Sequence, residues 1–234
     1  MISKYKTVAD SIENDIQSGV YNDVDKLPTE DDLISTFQVS RNTIRKAIEI
    51  LVKKGLVFSI QGSGLFVRRS SCEGCVNLEN FHGLTAIFKD NVSSKVIDFQ
   101  QIPANEWVAS KLNCSVGTPI YYIERVRYLN KKPYVYEYSY YNKEIIPYLS
   151  KELIAGSIYH YIQEDLRLQI GYVDRIIFAD KLTSKQAIAL DLNEGDPALV
   201  THNLAMLKSG VVFDYSIDIH HYKETKFLKL ANFF

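Results

Sequence analysis

The chain has 234 residues, 46% of them hydrophobic and 24% charged, with 27 Lys and Arg against 28 Asp and Glu. That composition excludes a disordered or collagen-like chain, the length calls for more than one domain, and the near-zero charge balance says nothing by itself about nucleic acid. No apolar run reaches the roughly 18 residues a membrane span needs, and the start does not read as a signal peptide, so a soluble cytoplasmic protein with no membrane partner is expected.

In chain order, the first element is an amphipathic helix built on Val8, Ile12 and Ile16. Two helical segments follow, Thr29 to Gln38 and Ser40 to Lys54, joined by the tight step through Val39. Ser40 sits as an N-cap, its hydroxyl placed to accept from the amides of Asn42 or Thr43. In the second segment Ile44, Ala47, Ile48, Leu51 and Val52 fall on one buried stripe, which leaves Arg41, Asn42 and Arg45 on the wet face. These lie in the first turn and a half, the part of a recognition helix that reaches base edges in the major groove, where an arginine fork can hold guanine O6 and N7 together. Thr43, Lys46 and the helix N-terminus suit phosphates, which set register without reading sequence. After Gly55 a short strand, Leu56 to Ile60, turns at Gln61-Gly62-Ser63-Gly64 and returns as Leu65-Phe66-Val67, with Gly62 and Gly64 supplying the positive φ a tight hairpin needs. Helix, helix and glycine-tipped hairpin outline a winged helix, with Gln61, Ser63 and the trailing Arg68 and Arg69 as wing contacts. Charge agrees: residues 1 to 37 hold three basic and eight acidic side chains, whereas residues 38 to 69 hold seven basic and only Glu49 acidic. Double-stranded DNA is the partner this implies.

The winged helix is assigned to residues 1–69 and a polar linker to 70–76, leaving 77–234 for a second domain. Cys72 and Cys75 stand two residues apart, but Cys114 is isolated and His220 and His221 are adjacent, so no four-ligand metal site is expected. The second domain reads as strands Ser94 to Gln101, Ile120 to Leu129, Tyr134 to Tyr141, Leu168 to Ala179, Ala198 to Leu207 and Val211 to His221. Helices fit Phe81 to Lys89, Glu106 to Leu112, Ser157 to Asp165 and Ser184 to Leu190. Short turns between long strands imply hairpins and an antiparallel sheet, so the fold class is α+β. On that sheet Arg125 and Arg127 are two apart and share a face, Glu137 and Ser139 share one across the turn, and Tyr134, Tyr136, Tyr138 and Tyr140 share the opposite one. With Asn80 and Ser157 at helix starts, these would bind a phosphate; alternatively the arginines pair with Glu124, Glu137 or Asp214 and the two short side chains only cap their helices.

The run from Tyr5 and Val8 through Ser18-Gly19-Val20-Tyr21, Lys26-Leu27-Pro28-Thr29-Glu30, Val39 to Arg45 and Gly62 to Val67 resembles the GntR family of bacterial transcription regulators. That resemblance implies phosphate contacts from Thr29, Ser40 and Thr43, base contacts from Arg41 and Arg45, and minor-groove contacts from Gly62 to Gly64. The family usually has serine where Thr29 stands and threonine where Leu65 stands. Pro119 to Arg127, Pro133 with Glu137, Gly156 to Tyr159, Phe213 to Ser216 and His220 resemble the effector domain of its HutC subfamily, a UTRA domain similar in fold to chorismate lyase. Ser157 to Tyr161 and Phe213 to Ser216 resemble in particular the trehalose-operon and β-glucoside-type repressors of Gram-positive bacteria. This implies phosphate binding by Asn80, Arg125, Arg127 and Ser157, with Glu137, Asp214 and His220 toward a sugar and Phe81 beside them. Those relatives often have Ser-Phe-x-Glu where this chain has Asn80-Phe81-His82-Gly83, which leaves the sugar open. The resulting expectation is a homodimeric repressor of a carbohydrate operon, without cofactor or catalytic residues, released from operator DNA by a sugar 6-phosphate. A regulator sensing a non-phosphorylated organic acid, and a lyase-like enzyme fused to a winged helix, are the alternatives.

Overall fold

The computed structural model describes residues 3–21, 24–68, 75–78, 83–88 and 91–230. The chain divides into two compact units, Met1–Asn80 with Phe227–Phe234, and Phe81–Lys226.

The first unit starts with helices α1 (Lys4–Gln17), α2 (Glu30–Phe37) and α3 (Arg41–Lys53). Local chemistry sets their limits. Thr29 closes a capping box with Asp32 at the start of α2, Gln38 ends that helix in the left-handed region at φ 50°, and the Ser40 hydroxyl accepts from the Thr43 amide at 3.3 Å to begin α3. Val8, Ile12, Leu33, Ile44 and Leu51 form the buried centre, and Lys54 pairs with the nearly buried Glu13 across α3 and α1. Strands β1 (Val57–Ile60) and β2 (Gly64–Val67) make the antiparallel wing. The segment before Pro28 joins it, with the Leu27 amide donating to the Leu65 carbonyl at 2.9 Å. Further on, β3 (Val76–Asn77) pairs in parallel with β10 (Phe227–Leu228), and Leu230 packs on the same apolar core. The last described residues therefore belong with the winged-helix unit, a return of the chain that the span 77–234 read from sequence did not include.

The second unit opens with α4 (Leu84–Phe88), β4 (Val92–Pro103), α5 (Glu106–Leu112), β5 (Pro119–Leu129) and β6 (Lys132–Asn142). Next come α6 (Lys151–Ala155) and α7 (Ile158–His160), which runs on as a π-helical turn over Tyr161–Asp165. It closes with β7 (Ile170–Lys181), α8 (Ser184–Leu190), β8 (Pro197–Leu207) and β9 (Val212–His221). The described sheet is six-stranded and antiparallel, in the order β4-β5-β6-β9-β8-β7. The strands agree with their sequence assignments to within about two residues at each end, the usual scatter. The helix read over Ser157 to Asp165 is shorter as an α-helix, and α6 ahead of it was not anticipated; of the helix read over Phe81 to Lys89, only Leu84–Phe88 lies among the described helical residues.

The two faces of the sheet differ. Val126 and Tyr136 pack beneath Leu182, Ala187 and Leu190, while Tyr215 packs with Val108 and Leu112 of α5. Glu124 is buried on this side, where Tyr122, Tyr136 and Lys185 all engage its carboxylate. On the opposite face Tyr121, Ile123 and Tyr141 pack with Ile146, Ile154, Ile158 and Ile162. One backbone position controls the outer edge. The register between β7 and β8 shifts between Ile170 and Tyr172, and a Cβ added at Gly171 would lie 2.7 Å from the Lys208 Cα. Gly171→Ala should therefore destabilise the chain by about 1–3 kcal/mol, read as a lower denaturation midpoint, whereas Gly195→Ala, with open space around it, should cost only its backbone strain.

Candidate DNA interface and effector site

The α3 stripe packs inward as its spacing requires: Ile44, Ala47, Ile48 and Leu51 are buried, while Arg41, Asn42, Arg45 and Lys46 are exposed. The expected reading face is therefore presented to solvent. Its charged side chains are already engaged within the unit. Arg41 forms an ion pair with Asp31, Arg45 donates from Nε to both Glu30 oxygens at 3.3 and 3.1 Å, and the Lys46 ammonium lies 5.9 Å from the Tyr5 ring centre. Ser40 and Thr43 share a hydroxyl contact of 2.9 Å. Thr29 is committed to Asp32 through its amide at 3.0 Å and its hydroxyl at 2.6 Å, and the first turn of α2 carries Glu30, Asp31 and Asp32. Such a turn repels phosphate, so Thr29 has less to offer an anion than the family resemblance implied. In the wing Gln61, Gly62, Ser63 and Gly64 form the exposed tip, with Gly62 at φ +77° and Gly64 at φ +113°. A Cβ at Gly64 would also meet the Lys26 side chain at 3.0 Å. Arg69 lies outside the described residues.

In the second unit, strand pairing brings Arg125, Arg127, Glu137, Asp214 and His220 of the expected effector residues onto one sheet face. Four successive cross-strand rows run over β5, β6, β9 and β8. The first is Arg127, Val135, His220, Leu199; the second Arg125, Glu137, Asp218, Thr201; the third Ile123, Ser139, Ser216, Asn203; the fourth Tyr121, Tyr141, Asp214, Ala205. Arg175 of β7 extends the third row beyond Asn203. Two guanidiniums on one face need an anion between them, and the chain supplies it. Arg125 donates from Nε and NH2 to Glu137 Oε1 at 3.0 and 2.6 Å and from NH1 to the Ile154 carbonyl, while Arg127 NH1 stands 4.0 Å from Glu137 Oε2. Self-pairing with Glu137 thus occurs, though on a buried face rather than a solvated one: Arg125 and Arg127 are only 4% and 5% exposed.

The two arginines are not equivalent. Arg127 donates from NH2 to Thr85 Oγ1 at 2.6 Å, but its buried Nε has no acceptor among the described residues. Burial and then the Arg125 charge lower its guanidinium to about 10. Burial alone would raise the Glu137 carboxyl, but Arg125 and then Arg127 outweigh it and hold that group below its ordinary value. Asp214 is fully buried; Tyr159 donates to its Oδ2 at 2.8 Å, its Oδ1 has no donor among the described residues, and burial lifts it well above the carboxylate range. His220 Nε2 lies 3.3 Å from Thr201 Oγ1. Ser157 caps the α7 turn, accepting from the His160 amide at 3.3 Å. Asn80 and Phe81 fall outside the described residues. So does Cys72; Cys75 is disulfide-bonded and Cys114 is a free thiol.

Several residues of this face were missed from sequence. Asp218 Oδ2 accepts from Asn203 at 2.8 Å and Thr201 at 3.2 Å, and Arg175 donates to Asn203 Oδ1 at 2.6 Å. Burial and then Glu137 push the Asp218 carboxyl up to about 6. Their signal was legible as polar residues at alternate positions of otherwise apolar strands, Thr201 with Asn203 and Asp214 with Ser216, Asp218 and His220.

Residues 4–67 match the bacterial regulatory proteins of the gntR family, and residues 89–226 match the UTRA domain. The chain is 38% identical to YydK, an HTH-type transcriptional regulator of Bacillus subtilis (strain 168), over 99% of this chain and 98% of YydK. The crystal structure of YydK covers 99% of this chain and 100% of its own at a TM-score of 0.82. MngR, the mannosyl-D-glycerate transport/metabolism system repressor of Escherichia coli (strain K12), is 30% identical over 97% of this chain and 95% of MngR. The effector binding domain of the B. subtilis trehalose repressor TreR is 26% identical, with a TM-score of 0.54 over 60% of this chain and 97% of that one. The chain belongs to the GntR family and is a DNA-binding transcriptional regulator with a UTRA domain. No described helix is long and apolar enough to cross a membrane.

His220 gives this face a pH signature. Burial and then the Arg175 charge hold its imidazole down to about 3, against 6.5 in the ordinary state. The unfolded chain therefore binds more protons than the native one between these values, and this group's contribution to stability rises with pH across that window and is lost as pH falls. His220→Asn should give a shallower loss of melting temperature between about pH 6 and pH 4 than the parent shows; equal slopes would contradict a buried neutral imidazole.

Proposed function

We propose that the protein is a homodimeric repressor of a carbohydrate uptake or utilisation operon, released from its operator when a phosphorylated sugar binds on the polar face of the UTRA sheet. The observation that carries the effector half is the buried Arg127 Nε, without an acceptor among the described residues, beside an Arg125 already matched to Glu137. A buried donor left unsatisfied costs about 1–3 kcal/mol, so an anion supplied there is strongly favoured. Glu137, Asp214, Asp218 and Asn203 on the same face suit the hydroxyls of a sugar, and sugar repressors among the relatives support that choice. Asn80, Phe81 and Ser157 complete the proposed set. The residues present work by binding; no step of turnover is assigned to them.

On the DNA side Arg41 and Arg45 would read bases, with Asn42 beside them. Ser40, Thr43 and Lys46 would hold phosphates, while Gln61 to Gly64 would follow the minor groove. Two copies bring two such helices to half-sites about 34 Å apart. β7 is the outermost strand at one end of the sheet and exposes Tyr172, Ile176 and Phe178, an edge that a second copy would cover. The effector then needs only a higher affinity for the arrangement of the two copies that does not fit the operator, a coupling of typically about 1–3 kcal/mol.

The decisive experiment measures operator affinity across a panel of sugar 6-phosphates, their unphosphorylated forms and simple organic acids. Only phosphorylated sugars should weaken binding, by about 5- to 150-fold, and release by plain acids would replace this effector class with another. Arg127→Ala should keep operator affinity near that of the parent while losing the response. Arg125→Ala is the poorer probe, because stranding buried Glu137 should itself cost about 3–5 kcal/mol of stability. Arg41→Ala and Arg45→Ala should flatten the difference between operator and random duplex without touching the sugar response. Ile176→Asp should shift the sedimentation coefficient toward a monomer; an unchanged dimer would move the interface elsewhere.

A further inference from the structure

The two arginines assigned to base reading are held by carboxylates of the preceding helix, and they are held differently. Arg45 uses a single nitrogen, Nε, for both oxygens of Glu30, which leaves NH1 and NH2 for another acceptor pair. Arg41 instead gives up a terminal nitrogen, NH2, to Asp31. Both arginines are more than half exposed and Asp31 is 76% exposed, so these pairs are open to exchange with a competing anion. Glu30 and Asp31 are adjacent in the first turn of α2, and Arg41 and Arg45 are one turn apart on α3, so the pairs lie side by side. Neither carboxylate helps the protein approach a polyanion. Each opposes the phosphates that a winged helix must meet.

We propose that this acidic turn sets DNA selectivity through the two arginines, in opposite senses. Glu30 is a positioning residue: it fixes Arg45 by Nε and leaves its two terminal nitrogens as a fork for guanine O6 and N7. Asp31 is a competitor: it occupies a tip of the Arg41 fork and yields it to a matched pair of base acceptors more readily than to a lone phosphate oxygen. Random DNA offers chiefly phosphates, so it meets Arg41 in a neutralised state and binds weakly. A correct base edge replaces Asp31 and restores the contact. The inference rests on α3 being the base-reading helix.

The test starts from operator sequences selected by the parent protein from a random duplex pool. Binding of selected and random DNA is then measured at several salt concentrations for the parent, Asp31→Asn, Glu30→Gln, Arg41→Ala, Arg45→Ala and the Asp31→Asn, Arg41→Ala double variant. Asp31→Asn should tighten random DNA severalfold and the operator less. It should also steepen the slope of log K against log salt on random DNA by about one, the effect of one further phosphate contact. In the Arg41→Ala background the same change should do nothing more, as a double-variant cycle reads directly. Glu30→Gln should weaken the operator about tenfold and flatten preference at the base position that Arg45→Ala also flattens, leaving random DNA unaffected. If Asp31→Asn tightens both DNAs equally, with or without Arg41, the carboxylate is only a surface charge and the competitor role is wrong. Unchanged base preference in Glu30→Gln removes the positioning role. If Arg41→Ala and Arg45→Ala themselves keep full preference, the base-reading assignment falls and takes this inference with it.

Discussion

The buried contact between Arg125 and Glu137 is the constraint on which the second unit depends. A guanidinium and a carboxylate removed from water cost several kcal/mol each unless the geometry is good and the remaining hydrogen bonds are made. Here both conditions are met: Arg125 donates twice to one Glu137 oxygen and also to the carbonyl of Ile154, and Ser139 donates to that same oxygen at 2.9 Å. Because the Ile154 carbonyl belongs to α6, the pair ties the sheet to the helix that covers it. The polar rows lie directly beside the apolar cluster under α6 and α7, so charge and core are neighbours throughout this face. One guanidinium satisfied by the chain and a second short of an acceptor among the described residues is a different arrangement from two surface arginines. Under the proposed function that second guanidinium would receive the anion, with the acceptors and donors further along the strands facing the hydroxyls.

Charge is managed in a related way in the winged-helix unit, but at the surface. The arginines that face solvent on α3 are matched by carboxylates of α2, so the unit is less basic toward a passing polyanion than its count of Lys and Arg from residue 38 onward implies. Near-neutrality of the whole chain is then a property distributed over both units rather than an accident of averaging. A regulator must ignore most of the DNA it meets, and net attraction to phosphate works against that.

Much of this was legible in the sequence, and the reason lies in range. Thr29 and Ser40 act on amides three residues away, the α3 stripe repeats within one helix, and Gly62 needs its positive φ in a turn of a few residues. Elements set by such local chemistry appeared where expected. Arg125 and Arg127 could likewise be placed on one face by the period of a strand. What surrounds them could not. Glu137 was one of three candidate partners, and choosing it needed the register of β5 on β6. Asp218, Asn203 and Arg175 reach the site only through the order β6-β9-β8-β7, in which β9 inserts between strands distant in sequence, and through a register shift at Gly171. The pairing of β10 with β3 joins segments about 150 residues apart with no local mark. The same limit applies at the DNA interface, where nothing in the spacing of Glu30, Asp31, Arg41 and Arg45 says which nitrogen meets which oxygen.

Release from the operator, as proposed, depends on an anion binding beside Arg127. The most direct measurement is a crystal structure of the full chain with the phosphorylated sugar that most effectively releases the operator. It should show phosphate oxygens within hydrogen-bond reach of Arg127 Nε, with Glu137 still bound to Arg125 and the sugar lying toward Asp218 and Asn203. A phosphate seated away from Arg127, or a bound effector that touches neither arginine, would contradict it.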